Sequence, residues 1–329
     1  MKILFCQLRN HGDIIRTFPL LDSIKAYYPN WYIGFTCYED MVETCKICKS
    51  IDTIFPQPRF KPVIDTEGGT RILDCSLFED VVNRVKLHDF DIYVDLHGVF
   101  QSALFGSMCN IKIRLGRSKE TAKDGAQIFY TDLAQISDKE INRMERHFII
   151  FNKLFPEIKP LRLTNTFGSK VIIFPGSSTK GILKRWNLEN YIITAKELEK
   201  DHEVMFGLGP EEIEIFDKLI NNGINLGKIK IITSWKDIQK LLSDCKLAIG
   251  NDGAYIHFAI WQNIPSVMIC GPLSPIVNGV WKYGVGDTVY YAERCHCVGL
   301  WQGICRNHHK CLDKITVDEV MAKVIRYLG

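Results

Sequence analysis

Long apolar runs are missing from the 329-residue chain: none approaches the roughly 20 residues that cross a bilayer. The opening stretch, MKILFCQLRNHGD, turns polar too early for a signal peptide. The expectation is a cytoplasmic protein, with the inner face of a membrane as a surface it can touch. An excess of one charge is also missing, since 41 Lys and Arg against 38 Asp and Glu leave a net charge of +3. That balance gives no electrostatic footprint for nucleic acid, although a local basic patch can still meet a phosphate-rich acceptor. Two glycine fingerprints are absent. No GxGxxG follows the first apolar strand, which disfavours a nicotinamide dehydrogenase, and no GxxxxGK[ST] marks a P-loop. No short-period repeat occurs either.

Cysteine, by contrast, is plentiful, with 12 residues. Without a secretory signal a disulfide framework is disfavoured. Cys6, Cys37, Cys109, Cys245 and Cys270 lie in or beside apolar runs and read as small core residues. Cys45 and Cys48 form a CxxC on a helix rather than after a strand, which favours core packing over redox chemistry.

The length allows two domains, and apolar strands alternate with amphipathic helices twice over. In the first half, strands are expected at 2–8, 32–37, 53–55, 91–96 and 111–115, with helices at 14–28, 40–49, 76–87 and 138–155. Residues 116–135 read as irregular. Pro156 and Pro160 mark a linker, and a second series follows, with strands at 171–174, 203–206, 230–232, 247–249 and 266–270. Residues 316–328 make a closing amphipathic helix. The expected fold class is α/β with two Rossmann-like, doubly wound domains, 1–160 and 161–329, facing a central cleft.

The stretch 246–275 is a βαβ unit whose turn, Asn251-Asp252-Gly253-Ala254, lies where parallel sheets hold ligands and where a helix start offers N–H groups to an anion. His257, three residues further along, donates to a phosphate or is a satisfied core histidine. Pro175-Gly176-Ser177-Ser178 ends another strand, and its small residues let backbone approach a pyrophosphate. Lys184 either neutralises the same phosphates or is a solvated lysine. Glu212 binds ribose hydroxyls or is a first-turn helix acid. In the first half, Asp13 sits at the first strand-to-helix turn, where it is a helix N-cap or a base for an acceptor hydroxyl.

The ordered set Gly12-Asp13-Ile-Ile-Arg-Thr-Phe-Pro19, Asp95-Leu-His-Gly98, Pro175-Gly-Ser-Ser178, Lys184-Arg-Trp186, Asn251-Asp-Gly-Ala-Tyr-Ile-His257 and Gly271-Pro272 resembles glycosyltransferase family nine, the ADP-heptose:lipopolysaccharide heptosyltransferases. The resemblance implies a GT-B fold, with the acceptor on the N-terminal half and the nucleotide sugar, ADP-heptose, on the C-terminal half. It implies inverting transfer to a lipopolysaccharide inner core or a protein acceptor, with no metal needed for catalysis. It makes Asp13 the general base, Ser177, Ser178 and Lys184 diphosphate contacts, Glu212 the ribose contact, and Asp252, Gly253, Ala254 and His257 the donor motif. Two departures concern the sugar: Gly253 stands where the family carries a hydroxyl residue, and Leu273 follows Gly271-Pro272. A catalytically idle nucleotide-sugar-binding or assembly module, or a family member using a different nucleotide sugar, is the alternative they support.

Cys295, Cys297, Cys305 and Cys311 place four thiols within a short segment, with one, seven and five residues between them. Four sulfurs suit a tetrahedral structural site for zinc or iron, and unpaired thiols or a disulfide are the other reading. The resemblance extends here, since autotransporter heptosyltransferases of the family hold a structural iron in such a cluster.

Overall fold

The protein is described by a computed structural model covering residues 1–59, 63–64, 71–72, 75–138, 140–161, 168–291 and 310–329. Its chain divides into two compact units, Met1–Lys139 with Met144–Leu161, and Glu140–Arg143 with Arg162–Gly329.

The first unit is built on β1 (Lys2–Cys6), β2 (Tyr32–Tyr38), β3 (Thr53–Gln57), β6 (Ile92–Asp95), β7 (Ile113–Arg117) and β8 (Asp132–Ala134), ordered β3-β2-β1-β6-β7-β8 and parallel throughout. The short strands β4 (Val63–Ile64) and β5 (Arg71–Ile72) form a separate antiparallel pair. Strand β1 lies at the centre, with Ile3 registered to Ile33 on one side and Ile92 on the other. Its Ile3, Leu4, Phe5 and Cys6 are wholly buried, because a parallel strand covered on both faces needs a continuous apolar run.

The second unit repeats the plan with β9 (Lys170–Phe174), β10 (Val204–Leu208), β11 (Ile229–Ile231), β12 (Cys245–Asn251), β13 (Ser266–Cys270) and β14 (Gly286–Tyr290), ordered β11-β10-β9-β12-β13-β14. In each sheet the order reverses beside the first strand, between β1 and β6 and between β9 and β12. This is the topological switch point at which doubly wound sheets bind ligands.

The helices are α1 (His11–Ile15), α2 (Phe18–Tyr27), α3 (Val42–Cys45), α4 (Glu79–Lys86), α5 (Phe100–Met108), α6 (Arg143–Asn152), α7 (Leu188–Leu198), α8 (Ile213–Asn221), α9 (Trp235–Leu242), α10 (Ala254–Trp261), α11 (Pro275–Asn278), α12 (Lys310–Asp313) and α13 (Val317–Leu328). The closing helix starts at a capping box in which Thr316 and Glu319 satisfy each other's backbone N–H. It then buries Val320 and Val324 in the second unit's core beside Trp186. Among the described residues no helix is long and apolar enough to cross a membrane.

Three expectations need correction. The single helix expected over 14–28 is two, because Pro19 carries no N–H and is accommodated only in a first helical turn, so α1 ends before α2 begins. Residues 116–135 are not wholly irregular: they carry a 3-10 turn at Ala126–Phe129 and the edge strand β8. The helix expected from 138 starts only at Arg143; just before it the Asn142 amide donates to the Gly279 carbonyl at 2.9 Å. The cysteines read as core, Cys6, Cys37, Cys45, Cys48, Cys109, Cys245 and Cys270, are all buried. Burial pushes the Cys109 and Cys245 thiols up to about 12, so they stay protonated and unreactive.

Candidate functional site

In the second unit the loops leaving β9 and β12 are tied by Asn251, the last residue of β12 and 2% exposed. Its Oδ1 accepts from the Trp186 backbone N–H and the Tyr191 hydroxyl, both at 2.9 Å. Its Nδ2 donates to the carbonyls of Pro175 at 2.7 Å and Gly176 at 3.2 Å. One amide thus uses donor and acceptor together to set the Pro175–Ser178 loop against the Asp252 turn. Nothing in the local sequence distinguishes this asparagine from a turn residue.

Asp252 follows, 4% exposed. Its Oδ2 pairs with the Lys184 ammonium at 3.1 Å, and its Oδ1 accepts from His257 Nε2–H at 2.8 Å. Lys184 is therefore neither free nor solvated: its side chain is 14% exposed and is carried back to β12 by the ion pair. His257, 1% exposed, reaches Asp252 from one turn into α10, so its polar contact orients the carboxylate. Gly253 is the N-cap of that helix and Ala254 its first residue; with no capping side chain, the first-turn N–H groups are left to other acceptors.

Ser177 is gripped by Arg185, whose Nε donates to its hydroxyl at 3.1 Å and whose Nη2 donates to its carbonyl at 2.6 Å. Ser178 is exposed and stands at the N-cap position of the 3-10 turn Thr179–Lys184, without a side-chain capping bond. Glu212 sits before α8 at the N-cap position, 8% exposed. Its Oε2 accepts from Gly209 N–H at 2.8 Å, and its carboxylate lies against Gly176, where any side chain would overlap it. Burial pushes the Glu212 carboxyl above the usual range, opposed by the Gly209 N–H, the Arg185 charge and the Ser177 N–H. Lys184, Asp252, His257 and Asn251 are thus brought together, while Glu212 joins Gly176, Ser177 and Gly209 nearby on the β9 and β10 turns.

In the first unit Asp13 is not the N-cap of its helix. Asn10 holds that position with φ 66°, in the left-handed region, and Asp13 is the third residue of α1. Its Oδ1 pairs with Arg16 at 2.8 Å and its Oδ2 accepts from Asn10 at 3.0 Å, with the side chain 17% exposed. The neighbouring turn, Asp95–Gly98, is closed by Asp95, which accepts from Gly98 N–H, Ser102 and Tyr130 at 2.8, 2.6 and 2.7 Å. Gly98 is needed there twice, for its φ of +69° and because the Arg117 guanidinium occupies the space a Cβ would take.

Sequence reasoning missed His147 on α6, 5% exposed, whose Nδ1–H donates to the Arg16 carbonyl at 3.1 Å and so fixes the end of α1. Its partner lies 131 residues away, beyond any local signal. Burial drives the His147 pKa down to about 3, with Arg146 and Arg117 lowering it further and Asp13 opposing. The sign follows. The unfolded histidine takes up a proton near its reference 6.5 and the folded one does not until about 3, so its contribution to stability is complete above 6.5 and is lost as pH falls. The full loss is about 3–5 kcal/mol. We expect thermal melts between pH 7 and pH 4 to show a smaller acid loss in His147→Asn, whose amide can still donate to Arg16. An equal loss in both proteins would exclude His147 as its source.

Of the four cysteines of the expected metal cluster, Cys295, Cys297 and Cys305 lie outside the described residues, and Cys311 is buried in α12.

Residues 80–299 match the family pattern described as glycosyltransferase family 9 (heptosyltransferase). Lipooligosaccharide heptosyltransferase 2 of Campylobacter jejuni is 24% identical over 325 residues, covering 95% of each chain. Two solved Escherichia coli structures share the fold. The ADP-heptose lipopolysaccharide heptosyltransferase II superposes with a TM-score of 0.73 at 18% identity, covering 100% of this chain and 98% of that one. Heptosyltransferase WaaC, solved with ADP, superposes with a TM-score of 0.74 at 16% identity, covering 99% and 100%. With the family pattern spanning well over half of the residues and two six-stranded parallel sheets matching the GT-B fold, the chain belongs to glycosyltransferase family 9, the heptosyltransferase family, and is a glycosyltransferase.

Proposed function

We propose that the protein is an inverting glycosyltransferase that moves heptose from ADP-heptose to a lipopolysaccharide inner-core or protein acceptor. The observation that carries the donor half is the Lys184–Asp252–His257 arrangement at the switch point of the second sheet, beside an uncapped helix start. As the bond from the sugar's anomeric carbon to the diphosphate breaks, negative charge grows on the leaving ADP. A lysine and helix N–H groups already oriented for an anion stabilise that charge without reorganising. Ser177 and Ser178 line the same loop and contact the diphosphate, and Glu212 takes the ribose.

Asp13 is the general base in this reading. It removes the acceptor hydroxyl's proton as that oxygen bonds to the anomeric carbon on the face opposite the departing diphosphate, which inverts the configuration. Arg16 and Asn10 hold the carboxylate in one orientation while leaving it part-exposed. That WaaC was solved with ADP supports the choice of nucleotide.

A thermal-shift panel of ADP, UDP, GDP and ADP-heptose tests the donor. A ligand that binds only the folded state raises its stability by mass action, about 2.7 kcal/mol at a hundredfold excess over Kd. Selective stabilisation by ADP and ADP-heptose is expected. Preference for UDP or GDP would overturn the heptose donor, and donor binding without turnover on any acceptor would favour the idle module suggested by Gly253 and Leu273.

A further inference from the structure

We infer that the phenol of Tyr255 is a ribose-binding group of the donor site, facing Glu212 across Gly209; this rests on the nucleotide-sugar reading above. Tyr255 is the second residue of α10, and its ring is held from two sides. Phe174, at the end of β9, lies 5.5 Å away between ring centroids, and Trp235, at the start of α9, lies 6.2 Å away at 81°. Aromatic packing from two other strand ends fixes where the hydroxyl points.

That hydroxyl reaches the turn after β10. A Cβ placed on Gly209 would lie 3.4 Å from the Tyr255 oxygen and 3.7 Å from both the carboxyl carbon and Oε2 of Glu212. A phenol and a carboxylate therefore border one point above the Gly209 Cα, which glycine leaves bare. The Glu212 carboxylate has accepted from the Gly209 and Ser177 N–H groups, and about two of its four lone-pair directions remain. Among the described residues the phenol makes no hydrogen bond. Burial, with the Glu212 and Asp237 charges, holds its pKa up at about 12, so it stays protonated and able to donate.

A carboxylate that accepts and a phenol that donates or accepts, facing each other over bare backbone, match a vicinal diol. In a nucleoside diphosphate that diol is the ribose. Tyr255 follows the Gly253-Ala254 pair, which has no hydroxyl of its own.

Two variants separate a binding role from simple packing. Tyr255→Phe keeps the ring between Phe174 and Trp235 and removes only the hydroxyl. Gly209→Ala adds a methyl at ordinary contact distances, with a φ outside the left-handed region, so the fold accepts it while the space between the two groups is filled. Calorimetric Kd values would be measured for ADP, 2′-deoxy-ADP, 3′-deoxy-ADP and inorganic pyrophosphate. Tyr255→Phe is expected to weaken ADP about tenfold, the value of one lost hydrogen bond, and to erase the wild-type preference for ADP over one of the two deoxy analogues. Gly209→Ala is expected to weaken all three nucleotides and leave pyrophosphate unchanged. If wild type binds ADP and both variants keep its affinities and ratios, the assignment is overturned while the donor reading stands. If wild type binds no nucleoside diphosphate, the donor reading fails and the assignment falls with it.

Discussion

Exchanging Asp13 for asparagine is expected to slow sugar transfer by about 10²–10⁴-fold, the usual contribution of a positioned general base. ADP affinity should be unchanged, since this reading assigns Asp13 to the acceptor hydroxyl and not to the nucleotide. Asparagine is the informative change. It keeps an oxygen for Arg16, whose guanidinium is only 6% exposed, and the Asn10 amide can turn to meet the new NH2 group. Alanine would leave that buried guanidinium without its carboxylate, and lost activity would then report damage to α1 as readily as lost chemistry. Steady-state transfer to a purified acceptor, read alongside ADP binding, gives the answer. Transfer at the wild-type rate would remove Asp13 as the base.

Replacing Asn251 by alanine is expected to produce the largest loss of stability. Four partners are stranded at once: the Trp186 N–H, the Tyr191 hydroxyl and the carbonyls of Pro175 and Gly176. An unsatisfied buried polar group costs about 1–3 kcal/mol, and the four are not additive because the loop can relax, so about 3–5 kcal/mol is expected. For a unit of this size that lowers the melting temperature by roughly 10 °C. The same change frees the Pro175–Ser178 loop, so ADP binding should fall with it. A variant that melts within a degree or two of wild type would show that the loop is held by something other than this amide.

These expected outcomes divide between what was visible along the chain and what was not. The apolar strands were visible because burial on both faces demands unbroken runs such as KILFC and SVMIC, and those runs are local. The strands at the far edges, β8 and β14, were not. Asp132–Ala134 and Gly286–Tyr290 are short and largely half-buried, and they become strands only because β7 and β13 present unpaired edges to them. The break between α1 and α2 was in principle legible from Pro19, whose missing N–H limits it to a first turn.

The candidate site divides in the same way. Asp252, Lys184, His257, Glu212 and Asp13 stood out because carboxylates, a lysine and a histidine at strand-to-helix turns are the groups that handle anions and protons. Arg185, His147 and Tyr255 did not stand out, and Asn251 stood out only as one residue of a turn. Each acts through a partner brought near by the fold, as when Asn251 meets Pro175 from 76 residues away.

The sequence by itself therefore determined the two parallel sheets, since alternation of apolar strands and amphipathic helices leaves a βαβ chain few other ways to bury its surface. It also set the residue types available at the turns. Only the tertiary structure decided which groups meet. It gave Lys184, expected at the phosphates or in solvent, an ion pair with a carboxylate 3% exposed, and it placed Asp13, expected as a cap or a base, third in α1 where Arg16 and Asn10 hold it. The physical reason is range. Hydrophobic periodicity is written in neighbouring residues, whereas hydrogen bonds and ion pairs act over about 3 Å between residues whose sequence separation carries no trace of that distance.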